Sequence, residues 1–437
     1  MRSQKTGLMC LLVLFLSVTR AATPSYLPDR PDSLPASRVK AASPVLQFVY
    51  TSDVHFGITR HQFDGDSNVT SDIVNARMVA KINSLPSLVL PADKGVNAGQ
   101  PVGPVDYLVE SGDIANRQEV PYQSATVSWQ QFSRVYLHGV TLKDSRGQPA
   151  EFLLTPGNHD VSNAIGYYKK MQPATDPASM VGIYNAMLHP ANPKTDITYH
   201  YPADKINYSK DLGGIHWMFI NIWPDSANRI WMEKDLSSIS AGTPVIIVTH
   251  DPPDGDAAHF INPNGAHDIN AKDRFENLLE EHSKDLQANA DAHPASPTMP
   301  APPEAHAAKK PGSSDHSSAV PQPAPDAKPQ TDNIEQAGFV AFLKAHPNIK
   351  AYFHGHNNWN EFYTYTGPAH DIALPVFRVD SPMKGKYSSK DETRLSFQLI
   401  TIDTAARTMT VRECLWNTDP AHPDTPPSWG DSRTIKL

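Results

Sequence analysis

A chain of 437 residues, 39% hydrophobic and 19% charged, is globular by composition and holds enough apolar material for one large catalytic domain or two small ones. Its formal charge of −8 argues against a nucleic-acid partner, because a protein that tracks a phosphate backbone presents a basic face; small phosphorylated substrates stay open. The 40 prolines are many for this length and point to chain lying outside the packed core.

Residues 1–21 open with Arg2 and Lys5, continue through an apolar run from Leu8 to Val18, and end in Thr19-Arg20-Ala21, the layout of a secretory signal peptide cleaved after Ala21. The run is too short to span a bilayer comfortably. A secreted or periplasmic protein without a transmembrane anchor is expected, more acidic once Arg2, Lys5 and Arg20 are gone. Cys414 is then the one cysteine left, so an intramolecular disulfide is not expected. Residues 22–44 are rich in Pro, Ser and Ala without apolar periodicity and read as an extended leader.

The domain begins at residue 45. Residues 46–51 predict a strand that runs into Asp53-Val54-His55. The same grammar recurs at 105–109, leading to Gly112-Asp113, and at 151–154, leading to Gly157-Asn158-His159-Asp160. Residues 215–222 and 245–248 are further apolar strands, the second delivering His250, and 230–236 between them has helical spacing. Residues 283–333 hold ten of the 40 prolines and no aromatic residue, too little apolar surface to offset the entropy of ordering, so they predict a disordered insertion. After it, 339–343 resumes a helical pattern and 349–353 predicts a strand ending at His354-Gly355-His356. Residues 377–380, 395–402 and 409–412 read as terminal strands closing a second sheet. Strands alternating with helices, with polar clusters at strand ends, imply a layered α/β domain over 45–437, interrupted at 283–333.

Carboxylate, imidazole and amide oxygen together suit borderline divalent ions such as Zn, Mn, Fe or Ni, and a bridging carboxylate holds two of them. Two such ions activate water and stabilise the leaving oxygen of an in-line displacement, which is what phosphate-ester cleavage needs. One Gly-Asp alone is weak evidence; five clusters in order, each after a strand, are strong.

The ordered set Asp53-Val54-His55, Gly112-Asp113, Gly157-Asn158-His159-Asp160, His250 and Gly355-His356 resembles the calcineurin-like metallophosphoesterase superfamily, over about residues 46–358. The resemblance implies a two-sheet, four-layer α/β sandwich and a phosphoric ester hydrolase with two divalent metal ions and a small phosphorylated substrate, a phosphate mono- or diester attacked by metal-activated water. By that resemblance Asp53 and His55 hold the first metal, Asn158, His250 and His356 the second, and Asp113 bridges them. His159 steadies the transition state or protonates the leaving oxygen, a role suited to an imidazole titrating near neutrality. Asp160 either orients His159 or caps the following helix. Arg117, four residues after Asp113, stands where the protein-phosphatase branch has a phosphate-binding arginine. Each of these residues also has an ordinary reading, as a turn residue, a helix cap or a hydrogen-bonded core histidine.

Two departures stand out. The family's last histidine is replaced by Asn358, leaving the first metal to Asn358, to water or to His354. Asn116 stands where purple acid phosphatases carry a metal-binding tyrosine, which argues against a purple iron site. The altered residue at 358 keeps open a metal-binding protein without turnover. The Pro-rich insertion keeps open a partner-binding role.

Overall fold

In a computed structural model the chain is described over residues 45–116, 123–161, 176–201, 203–256, 259, 279 and 334–437. The expected signal peptide and leader, Arg117 and the 283–333 insertion lie outside these residues.

Strand β1 (Val45–Thr51) is buried from Gln47 onward. Its near-continuous apolar run suits a central strand covered on both faces. The hairpin β2 (Thr59–Phe63) and β3 (Asp66–Thr70) turns at Asp64-Gly65, both at positive φ (51° and 87°), the conformation a two-residue hairpin requires. Helix α1 (Ser71–Ser84) buries Val74, Met78 and Ile82 at helical spacing. Then come β4 (Tyr107–Glu110), α2 (Ala125–Phe132), β5 (Glu151–Leu154), the short α3 (Asn158–Val161) and α4 (Ala178–Leu188). The second half supplies β6 (Tyr208–Leu212), β7 (Ile215–Phe219), α5 (Ser226–Leu236), β8 (Val245–Val248), α6 (Ile334–Ala345), β9 (Ile349–His354), β10 (Glu361–Tyr365), β11 (Leu374–Arg378), β12 (Ser396–Asp403), β13 (Thr408–Leu415) and β14 (Ser428–Lys436).

Two six-stranded sheets result, in the orders β14-β13-β12-β1-β4-β5 and β10-β11-β9-β8-β7-β6. Strands β1, β4 and β5 are parallel, and so are β7, β8, β9 and β11. The inner faces meet through aromatic rings: Phe48 stacks on Trp217 at 4.5 Å, and Tyr50 sets its ring edge to Phe353 at 5.3 Å. Such pairs contribute about 0.5–1.5 kcal/mol each beyond the area they bury. Helices cover the outer faces. Leu154 N–H of β5 donates to Met187 Sδ of α4, while Phe339 of α6 packs on Tyr352 of β9 and Arg229 of α5 pairs with Glu335 at 2.8 Å. The architecture is the expected α/β sandwich.

The terminal strands depart from expectation. Of the three, only residues 377–380 begin within the second sheet, in β11. Strands β12 and β13 join the first, β12 pairing antiparallel with β1 from Val45 opposite Asp403 to Tyr50 opposite Gln398. Periodicity fixes which residues point inward but not which edge a late strand finds. Here the open edge of β1 was the one left to cover.

Candidate metal centre

Parallel strands end at a common edge, and every cluster singled out in the sequence follows such an end. Asp53 comes two residues after β1, Asp113 three after β4, Asn158 four after β5, and His250 and His356 two after β8 and β9. Backbone bonds tie the strand ends together: Asp53 N–H donates to the Gly112 carbonyl (2.9 Å), His55 N–H to that of Asp113 (2.9 Å) and Gly355 N–H to that of His250 (3.1 Å). The loops are so close that their glycines have no room for a side chain. A Cβ on Gly157 would stand 2.2 Å from Asp113 Oδ1, and one on Gly355 2.2 Å from Asp53 Oδ2.

These turns are strained. Asp53, His55, Asp113, His356 and Asn358 all have φ between 42° and 65°. A left-handed non-glycine residue costs on the order of 1 kcal/mol or more and persists where surrounding structure over-determines it, as at ligand sites.

The side chains converge. Asp113 Oδ2 lies 3.6 Å from His55 Nε2, 3.3 Å from His250 Nε2 and 3.9 Å from His159 Nε2, while its Oδ1 accepts from His159 N–H at 2.8 Å. His55 Nε2 is also 3.6 Å from Asp53 Oδ1, and Asp53 Oδ2 accepts from His356 N–H at 2.9 Å. His250 Nε2 is 3.1 Å from Asn158 Oδ1, and its Nδ1 faces the Ser111 carbonyl at 2.9 Å. A carbonyl only accepts, so Nδ1 carries the proton and Nε2 is aimed at the cluster. The His356 ring stands edge-on to His250, centroids 5.3 Å apart, with Nδ1 3.8 Å from Asp251 Oδ1 and Nε2 3.0 Å from Asp256 Oδ2. His259 Nδ1 binds Asp251 Oδ2 at 2.6 Å.

The calcineurin-like phosphoesterase family matches the chain over residues 46–295, which takes in the first four clusters. The chain belongs to this family. No curated protein sequence matches it. Among solved structures it is similar to a dimetal phosphatase from Danio rerio (8% identity, 90% of this chain and 99% of that one, TM-score 0.46). It is also similar to PhoD (9% identity, 91% and 70%, TM-score 0.44) and to a phosphopantetheinyl hydrolase from Mycobacterium tuberculosis (11% identity, 77% and 90%, TM-score 0.29). At these scores nothing about substrate follows for the present phosphoesterase.

Whether the residues suit divalent ions is answered by the atoms they leave unbonded. Asp53 Oδ1 and both ring nitrogens of His55 are buried without a hydrogen-bond partner, a costly arrangement unless a ligand takes them. Asp53 Oδ1, Asp113 Oδ2 and Asn158 Oδ1 are all acceptors, and they surround imidazole nitrogens in a site that wants positive charge. Burial works against ionising Asp53 and Asp113, yet the charge of His250 carries both below the ordinary carboxylate value, Asp113 well below. Burial alone would push His250 down, but Asp113 raises it to about 10. The protein holds a proton where a cation fits. Asp53, Asp113 and His250 form one group of ligand atoms within 4.8 Å, and His250, Asp251 and His356 another.

Three expectations change. Asp160 does not orient His159: its carboxylate accepts from the backbone N–H groups of Ile114, Ala115 and Gly157 at 3.2, 3.0 and 3.0 Å, holding the Asp113 loop. The Asn116 carbonyl takes the orienting place, 2.6 Å from His159 Nδ1. The His159 imidazole is shifted from its ordinary value as well. Burial first, and then the charge of Lys384, hold its pKa well below the ordinary imidazole value. Lastly, His354 is spent elsewhere, with Nε2 3.0 Å from the Tyr363 hydroxyl and Nδ1 2.9 Å from the Gly355 carbonyl. Asn358 donates from Nδ2 to the His356 carbonyl (2.8 Å), and its buried Oδ1 has no hydrogen-bond partner.

Residues missed in the sequence are Asp251, Asp256, His259 and Lys384. Asp251 was legible, since it follows His250 directly. Asp256 and Lys384 sit on irregular chain with no pattern to mark them, and His259 has no motif around it in the sequence.

Proposed function

We propose that this phosphoesterase is an exported, two-metal enzyme that hydrolyses a phosphate mono- or diester, with Asp53, His55 and Asp113 holding one ion and Asp113, Asn158, His250 and His356 the other. The convergence of Asp53, His55, Asp113, Asn158 and His250, with buried ligand atoms left unbonded, carries this reading. Asn358 Oδ1 is the acceptor offered where the family has its last histidine. Export rests on the layout of residues 1–21, and the division into leader, domain and insertion rests on composition.

When bound, divalent ions would polarise the phosphoryl oxygens and lower the pKa of water, and the P–O bond to the leaving group breaks as a new one to water oxygen forms. The chain's own contribution is orientation. Asp113 presents Oδ2 to both halves of the cluster while its Oδ1 is fixed by His159 N–H. His159, with Nδ1–H donating to Asn116, turns an unprotonated Nε2 toward the same carboxylate and towards Lys384. It therefore enters the reaction as an acceptor and orienting group.

The test is hydrolysis of p-nitrophenyl phosphate and bis(p-nitrophenyl) phosphate by residues 22–437, with metal content measured on the same sample before and after chelation. Turnover lost on chelation and restored by a divalent ion is expected. Metal-replete protein inert towards both esters would overturn the reading, and retention of the full chain in the cytoplasm would overturn export.

A further inference from the structure

Lys384 stands out among the described residues as a cation that reaches the centre without belonging to its ligand set. Its Nζ lies 3.2 Å from His159 Nε2, the nitrogen that faces Asp113 Oδ2 at 3.9 Å. The residue as a whole is half-buried.

The loop that carries it is built to hold it. Ser381 Oγ accepts from the backbone N–H of Lys384 (2.9 Å) and of Met383 (3.2 Å), and donates to the Asp53 carbonyl (2.8 Å). One hydroxyl thus fastens the lysine's backbone to that of a metal-ligand candidate. From the other side, the buried guanidinium of Arg60 donates to the carbonyls of Pro382 (2.8 Å) and Ser388, clamping both ends of the turn. Ser389 N–H closes it onto the Gly385 carbonyl at 2.9 Å.

An ammonium beside a site for two divalent cations is repelled by them, and the repulsion is relieved when an anion enters between. The backbone of Lys384 is fixed by Ser381, and its Nζ is held at His159 Nε2.

We propose that Lys384 is the phosphate-binding cation of the site, and that its charge makes the enzyme prefer phosphomonoesters to phosphodiesters. The inference rests on the phosphoesterase reading above and deepens it. A monoester near neutral pH carries one more negative charge than a diester and one more oxygen free of an organic substituent. The lysine meets an oxygen that in a diester would bear the second substituent. Its point charge needs no particular hydrogen-bond plane, so arginine should restore part of the effect.

The experiment compares Lys384→Met, Lys384→Arg and Lys386→Met in the metal-replete protein. Lys386 is a neighbouring exposed lysine whose Nζ lies 4.0 Å from the Trp359 ring centroid, and it controls for loss of a positive charge in general. Three quantities are read: bound metal, affinity for inorganic phosphate by calorimetry, and kcat/KM for p-nitrophenyl phosphate and bis(p-nitrophenyl) phosphate. Lys384→Met should keep its metal, weaken phosphate binding at least about tenfold, and lower the monoester-to-diester ratio by about tenfold or more, the scale expected for one lost charge contact. Lys384→Arg should recover part of both, and Lys386→Met should match wild type. Phosphate affinity within about threefold of wild type in Lys384→Met, equal losses on the two esters, or loss of metal would each overturn the proposal. A wild type inert to both esters, whose phosphate affinity still falls in Lys384→Met, would sink the enzyme reading while leaving the anion site standing.

Discussion

At the scale of single residues the centre is a problem of charge. Asp113 faces His55, His159 and His250 with one carboxylate oxygen, so a single atom reaches both halves of the cluster. Replacing it with alanine leaves any two cations in the site unscreened from each other, and Asp113→Ala should lose both bound metal and turnover. His159→Ala should behave differently. Its side chain turns towards the cluster, and on the proposed assignment it is not a ligand, so metal should stay while the rate falls at least about 10²-fold, the usual scale for help of this kind. Metal analysis and steady-state kinetics on the two variants separate the roles, and equal metal loss in both would show that His159 is a ligand.

At the scale of elements, the ligands depend on how closely strand-end loops approach one another. Gly355 follows β9 directly, and a methyl group there would overlap Ser52 Oγ at 1.9 Å as well as Asp53 Oδ2. Gly355→Ala must push Asp53 out of its place. We expect a folded protein with at least about tenfold weaker metal binding, the lower end of what disturbing a ligand's supporting shell costs, read by metal titration alongside circular dichroism. Arg60 acts on the turn that carries Lys384. Arg60→Met would leave the buried carbonyls of Pro382 and Ser388 without donors, so chemical denaturation should show a loss of about 2 kcal/mol or more. Phosphate affinity should fall with it, because the Lys384 turn loses its clamp.

At the scale of the whole molecule, β8 and β9 are direct parallel neighbours, with Val248 opposite Phe353, although more than a hundred residues separate His250 from His356. A parallel crossover needs only a dozen or so residues, and α6 lies immediately before β9 to supply it. Loop-closure cost rises by only about 0.6 kcal/mol per doubling of length. Replacing residues 283–333 with a short Gly/Ser linker should therefore leave the melting temperature, metal content and small-ester turnover near wild type. Effects should appear only with large substrates or partners. A folded, metal-loaded deletion variant with collapsed small-ester turnover would show that the segment contributes to the site. Among the described residues no helix is long and apolar enough to cross a membrane.

The sequence by itself determined the ligand candidates, because the signals are local: an apolar run of strand length stops, and a carboxylate, amide or imidazole follows within four residues. That was enough for Asp53, His55, Asp113, Asn158 and His250, and for the α/β class. Only the tertiary structure decided what depends on register and on distant segments meeting. It sent β12 and β13 to the first sheet, since an alternating strand can cover any edge of matching polarity. Asp160 was turned to the amides of the Asp113 loop, and the Asn116 carbonyl was set against His159 in its stead. The structure also removed His354 to Tyr363. Lys384, 225 positions from His159, reached the same point through a loop held by Arg60 and Ser381. A lone lysine in a polar turn has no periodicity and no fixed partner spacing, so its function exists only once the fold has brought an imidazole and a cluster of acceptors to meet it.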